Sequence, residues 1–104
     1  MKIAFIGAGN MGGAIVKGLY LSKVCKADEL FVADASEEAL KNISRINKNI
    51  FITTNNGEAA KRADYIIIAV KPWLVDTVID SIQSSIKSTQ IIISIAAGIE
   101  LSHI

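Results

Sequence analysis

The run Ile3-Ala4-Phe5-Ile6-Gly7-Ala8-Gly9-Asn10-Met11-Gly12-Gly13 constrains everything that follows it. A short apolar strand enters a glycine turn, and a helix begins directly after the turn. Each glycine has a physical task in such a turn. Gly7 permits the sharp exit from the strand, Gly9 lets a pyrophosphate approach the backbone, and Gly12 lets the helix pack closely on the sheet. The first amides of the helix lack intrahelical partners and point, with the helix dipole, at an anion in front of them. The spacing Gly7-x-Gly9-x-x-Gly12 is a weak signal alone. It gains force from the strand before it, the helix after it, and an acid, Asp34, near the ~20-residue interval at which a carboxylate meets an adenosine ribose.

The remaining chain repeats this alternation. The first strand spans 2–6, and a helix runs from Met11 to about Leu21, with Ala14, Ile15, Gly18 and Leu19 expected to face the sheet. A polar turn over 22–28 leads to a second strand over 29–33. Ser36 is placed to cap the next helix, which carries Glu37 and Glu38 in its first turn and reaches about Ile46. A third strand covers 50–53, and the Asn55-Asn56-Gly57 turn opens a short helix around 58–62. The fourth strand, 65–70, is the most apolar run and ends at Lys71-Pro72, because proline donates no hydrogen bond and holds its predecessor extended. A helix over 73–86, with Leu74, Val78, Ile82 and Ile86 on one face, precedes a fifth strand over 90–94 and the loop Ala96-Ala97-Gly98. Strands alternating with helices under right-handed crossovers predict an α/β fold, a doubly wound parallel sheet of the Rossmann type with strand order 3-2-1-4-5. A ligand crevice belongs at the carboxyl ends of the first and fourth strands, where the winding reverses. The glycine turn, Asp34, Asn56, Lys71-Pro72 and Ala96-Ala97-Gly98 all fall at strand carboxyl ends.

Length and composition narrow the possible functions. A chain of 104 residues suffices for one domain, read as a dinucleotide-binding domain over 1–104. Hydrophobic residues make up 51%, and a mean hydropathy of +0.42 is high for a free-standing domain. The excess fits strands covered on both faces, plus a face meant for something else. A net charge of +1 argues against nucleic acid as a partner. The lone Cys25 excludes an internal disulfide, as expected for a reducing compartment, and no apolar run approaches a membrane span. These readings place the protein in the cytoplasm.

Several residues admit two readings. The glycine turn fits a dinucleotide, and S-adenosylmethionine is the rival ligand, since it too uses a glycine turn and a ribose-binding acid. A carboxylate at Asp34 accepts the ribose 2′- and 3′-hydroxyls and repels a 2′-phosphate, which leans toward NADH over NADPH; Asp34 can instead cap the next helix. Asn56 can cap the short helix or touch the nucleoside. The Val70-Lys71-Pro72 backbone is expected against cofactor, while the Lys71 ammonium snorkels to solvent or, as the lesser reading, takes part in catalysis. Trp73 reads as packing, and Cys25 as a small residue near a turn. Ser94 lacks a histidine partner, since the single one is His103 near the end of the chain, so a Ser-His-Asp hydrolase is improbable. Metal-ligand spacing is absent.

Four pieces together carry a family resemblance: Phe5-Ile6-Gly7-Ala8-Gly9-Asn10-Met11-Gly12, the Asn56 turn, Ala69-Val70-Lys71-Pro72, and Ser94-Ile95-Ala96-Ala97-Gly98-Ile99. In order and spacing they resemble the N-terminal domain of pyrroline-5-carboxylate reductases, over essentially the whole chain. F420-dependent NADP reductases and β-hydroxyacid dehydrogenases share a similar first domain. The resemblance implies hydride transfer from NADPH or NADH to the C=N carbon of 1-pyrroline-5-carboxylate, giving L-proline. It implies cofactor contacts at Ile6, Gly7, Ala8, Gly9, Asn10, Met11, Gly12, Asp34, Ser36, Asn56, Ala69, Val70, Lys71, Pro72, Ala96, Ala97 and Gly98, the last loop lying near the nicotinamide. Many members carry a basic or small polar residue where this chain has Asp34, which departs from their usual NADPH preference. Members also continue into a helical domain that builds the dimer and most of the substrate pocket. This chain is therefore expected to bind cofactor without turning over, with a homo-oligomer expected only in the presence of that domain. No proton donor for the imine nitrogen is evident, so no catalytic residue is assigned. A non-catalytic NAD(H)-sensing module remains the alternative outside enzymology.

Overall fold

The computed structural model describes residues 1–95, apart from the Asn10 side chain. Ala96, Ala97, Gly98 and the residues after them lie outside that description. Elements alternate as the periodicity requires: β1 (Ile3–Ile6), α1 (Asn10–Leu21), a 3-10 turn (Ala27–Glu29), β2 (Leu30–Ala33), α2 (Glu37–Ile46), β3 (Phe51–Thr53), α3 (Asn56–Ala60), β4 (Tyr65–Ile68), a second 3-10 turn (Pro72–Leu74), α4 (Val75–Ile82) and β5 (Ile91–Ser94). The five strands form one sheet in the order β3-β2-β1-β4-β5. Every pairing is parallel, with Ile3 opposite Leu30 and Tyr65, and Ile6 opposite Ala33 and Ile68.

Side chains alternate across the sheet with a period of two, so β1 and β2 feed two cores. Ile3, Phe5, Leu30 and Val32 meet Val16, Leu40 and Ile43 from α1 and α2. Ala4, Ile6, Phe31 and Ala33 join Ile66 and Ile68 against Ala59, Ala60, Val78 and Ile82 from α3 and α4. All eight residues of β1 and β2 are buried, which is why those strands read as unbroken apolar runs. Full burial of a Phe or Ile side chain contributes roughly 1.5–3 kcal/mol, so these central strands dominate the fold's stability.

Local departures from the sequence reading have physical causes. Ala14 and Gly18 are exposed, whereas Val16 is fully buried and Ile15 and Leu19 pack beside it. The sheet-facing stripe of α1 begins at Gly12, which the turn buries, and continues to Val16, one helical turn on. Asn55, rather than Asn56, caps α3: its side-chain oxygen accepts the Glu58 amide at 3.0 Å. The helix expected over 73–86 starts later and ends earlier. Lys71 is extended before Pro72, the chain passes through a 3-10 turn, and α4 stops ahead of Ser84-Ser85, a residue type that favours turns over helix interiors. Leu74 is thereby turned out, 43% exposed. β5 is exposed at all four residues, so the double cover expected of parallel strands does not extend to this edge.

Candidate functional site

The site is built where β1 ends. The Gly7 amide donates to the Ala33 carbonyl at 2.8 Å, and the Ala69 amide donates to the Ile6 carbonyl at 2.8 Å. The glycine turn is thus stitched to the ends of β2 and β4 at once. Gly7 has φ +107°, and a Cβ there would stand 2.5 Å from the Ala69 carbonyl oxygen. Both torsion and space demand glycine. A Cβ on Gly12 would drive into the Gly7 carbonyl oxygen, so the close packing expected between helix and sheet is, in detail, helix against turn. Gly9 differs: a Cβ there meets nothing within 4 Å. Its lack of a side chain is not required by the protein's own packing.

The amino end of α1 is also unlike those of its neighbours. Its N-cap is Gly9, with no side-chain cap and no acid in the first turn. α2 is capped by Ser36, whose hydroxyl oxygen accepts the Ala39 amide at 3.2 Å, and carries Glu37 and Glu38. α3 has Asn55 and Glu58. The α1 terminus therefore presents amides and a positive dipole end that no acidic or capping side chain answers among the described residues.

Asp34 bridges the two halves of the site. Its Oδ2 accepts the Ala8 amide at 2.6 Å and its Oδ1 accepts the Ser36 amide at 2.8 Å. It does not cap α2; Ser36 does. The carboxylate instead braces the glycine turn against the loop after β2.

Two connected hollows open above the strand ends. The larger, about 620 Å³, is lined by Gly7, Gly9, Met11, Asp34, Ala69, Val70, Lys71 and Leu74. A recess of about 200 Å³ shares Gly7, Asp34, Val70 and Leu74 with it and adds Ile6, Asn56, Thr54 and Thr77. Most of the residues expected to meet cofactor thus line one crevice. Ala8 and Ser36 line a separate groove between α1 and α2, which Gly9 also reaches. Gly12 is buried beneath the turn, and Pro72 starts the 3-10 turn without lining the crevice itself. Ala35 falls within the 34–36 stretch where contacts were expected, whereas Thr54, Leu74, Thr77 and Val78 were not expected there. Leu74 and Val78 were legible only as a helix's apolar face, and Thr54 and Thr77 carried no signal at all. Trp73, expected in core or interface packing, is 68% exposed and so is not in this chain's core. Among the described residues no group of three or more His, Cys, Asp or Glu is placed to hold a metal ion, and no helix is long and apolar enough to cross a membrane.

Comparison with known proteins is consistent with this geometry. Residues 2–98 match the family model described as NADP oxidoreductase, coenzyme F420-dependent. A pyrroline-5-carboxylate reductase of Methanosarcina acetivorans is 35% identical over 101 residues, covering 97% of this chain and 37% of that protein. The structure of a pyrroline-5-carboxylate reductase from Coxiella burnetii superposes with a TM-score of 0.81 at 31% identity, over 93% of this chain and 36% of that one. The Plasmodium falciparum pyrroline carboxylate reductase, solved with NADP bound, gives a TM-score of 0.75 at 29% identity, over 91% and 33% of the two chains. The chain spans little more than a third of the length of these relatives.

Proposed function

The chain belongs to the coenzyme F420-dependent NADP oxidoreductase family, and we propose that residues 1–104 are the NAD(P)H-binding domain of a pyrroline-5-carboxylate reductase. One observation carries the reading beyond similarity. The uncapped amino end of α1 faces a crevice that it shares with a fixed carboxylate, Asp34. Amides that no side chain answers suit a diphosphate, and a carboxylate suits ribose hydroxyls. The space above Gly9 is open, so a bound group can come within contact of the backbone there.

In this reading Gly7, Gly9, Asn10, Met11 and Gly12 form the diphosphate turn. Asp34 and Asn56 meet the adenosine, and Ala69, Val70, Lys71 and Pro72 border the nucleotide on the β4 side. Ile6, Ala8 and Ser36 support the turn and the loop after β2. Ala96, Ala97 and Gly98 would follow β5 toward the nicotinamide. When bound, the nicotinamide supplies hydride to the C=N carbon of 1-pyrroline-5-carboxylate, yielding L-proline. The chain's own residues bind and orient the nucleotide, and the substrate, a small molecule, is held with the help of parts beyond this chain. The cytoplasm is the compartment that suits a single unpaired thiol and a soluble cofactor.

Titration with NADH, NADPH and S-adenosylmethionine tests the reading. Binding of a nicotinamide nucleotide in the micromolar range, weakened by blocking the Gly9 approach, is expected. Binding of S-adenosylmethionine alone would remove the reductase assignment.

A further inference from the structure

Asn56 holds a hydrogen bond that decides which end of its side-chain amide can meet a ligand. Its Nδ2 donates to the Ser81 hydroxyl at 3.0 Å, and that hydroxyl donates to the Val78 carbonyl at 2.6 Å. A hydroxyl has one hydrogen, and the carbonyl of Val78 takes it. Toward Asn56 the Ser81 oxygen can therefore only accept, and only the amide nitrogen can satisfy it. That leaves the Asn56 carbonyl oxygen as the end of the amide that Ser81 does not hold, on a residue that lines the recess.

The same recess is bordered by Asp34, and its carboxylate cannot swing aside. Both oxygens are tied to backbone amides, of Ala8 at 2.6 Å and Ser36 at 2.8 Å. No lysine or arginine lines the recess among the described residues; Lys71 lines the larger hollow that shares Asp34 with it. Thr54 and Thr77 can either donate or accept a hydrogen bond there, so they favour neither form of ligand.

We propose that Ser81 is a positioning residue for nucleotide selectivity. By holding the Asn56 amide nitrogen, it presents the Asn56 carbonyl oxygen together with the Asp34 carboxylate as a pair of acceptors, which take a ribose 2′-hydroxyl and reject a 2′-phosphate. The chain then selects NADH over NADPH. This rests on the dinucleotide-binding reading above and adds to it a residue on α4 that the glycine turn and its acid do not involve.

Equilibrium titration of the protein, its Ser81→Ala variant and its Ser81→Thr variant with NADH and with NADPH separates the possibilities. Ser81 is exposed on α4, and alanine is a good helix former, so the first variant is expected to fold. Wild type should bind NADH more tightly. Ser81→Ala frees the amide to turn its donor end to a phosphate, and the ratio of the two dissociation constants should move toward NADPH by about three- to tenfold, the worth of one hydrogen bond. Ser81→Thr keeps the hydroxyl and should keep the wild-type ratio. A merely structural role for Ser81 would weaken both nucleotides alike. An unmoved ratio in Ser81→Ala, or a wild type that prefers NADPH, would overturn the proposal while leaving nucleotide binding intact. If wild type bound neither nucleotide, the functional reading beneath it would fall as well.

Discussion

Three glycines of one segment should respond to the same substitution in three different ways. Gly12→Ala places a Cβ against the Gly7 carbonyl oxygen and 3.1 Å from the Gly7 carbonyl carbon, with the Ala69 Cβ at 3.4 Å. The obstacle is backbone, and that backbone is held by the Gly7 and Ala69 amide bonds to β2 and β1. Overpacking of this kind costs about 1–3 kcal/mol or more, and replacing a helical glycine returns about 1 kcal/mol. Because nothing soft can yield, a net loss of about 2 kcal/mol is expected. At about 4–8 °C per kcal/mol for a domain this small, Tm should fall by roughly 8–16 °C. Gly18→Ala is the control. It lies in the same helix with nothing within 4 Å of the added carbon, so it should stabilise by roughly 0.5–1 kcal/mol. Gly9→Ala sits at an N-cap with an extended ψ and open space around it, so stability should change by less than about 1 kcal/mol. Its effect should appear instead in nucleotide affinity, weakened about tenfold or more by a methyl where the diphosphate approaches. Thermal melts of the three variants, with a titration of each, provide the comparison. A Gly12→Ala protein as stable as wild type would refute the packing argument. A Gly9→Ala protein with unaltered nucleotide affinity would refute the placement of the diphosphate.

Asp34→Ser should shift preference from NADH toward NADPH, because a unit charge at ~4 Å with an effective dielectric near 20 repels a phosphate charge by at most about 4 kcal/mol. The same variant should lose about 1–3 kcal/mol of stability, since the Ala8 and Ser36 amides lose a charged acceptor; an unchanged nucleotide ratio would show that Asp34 only braces the turn. Glu29 lies at the opposite end of the sheet, where the Lys26 amide at 2.8 Å and then the N-terminal ammonium at 2.6 Å hold its carboxyl below the usual range. A depressed carboxyl contributes stability above its ordinary pKa and loses it as pH falls through the lowered one. Glu29→Gln should therefore melt earlier than wild type at neutral pH and converge with it in acid, and melts that stay equally separated down to pH ~2 would contradict this.

The sheet order was legible because each strand's carboxyl end carried its own punctuation: glycines after Ile6, Asp34 after Ala33, proline after Lys71. The rim of the crevice was readable for the same reason. What failed were decisions between adjacent residues. Asn55 and Asn56 have the same chemistry, and either can cap a helix. Only the position of α3 against α4, with Gly57 so close to Ser85 that a Cβ would stand 2.5 Å from its hydroxyl, fixes which one turns inward. Ala14 and Gly18 follow the helical period as well as Val16 does, but the turn buries Gly12 and so sets the rotation of α1. Leu74 shows the limit of a periodic pattern. Its spacing with Val78 and Ile82 is that of a buried stripe, yet Pro72 delays the helix and leaves Leu74 at the mouth of the crevice.

The polarity of the crevice follows from how the glycine turn is held. A turn of bare amides close to a carboxylate would ordinarily have its positive end partly cancelled. Here Asp34 takes the Ala8 amide, which lies before the helix begins, and the Ser36 amide on the opposite loop. The amides that open α1 keep no side-chain partner among the described residues, and Asp34 borders the recess with lone pairs to spare. Free amide donors and the carboxylate's acceptors thus border the same crevice. A molecule with an anion joined to a hydroxyl-bearing ring satisfies both sets. A simple anion satisfies only the first, so inorganic diphosphate should bind far more weakly than the whole nucleotide and should be insensitive to Ser81→Ala.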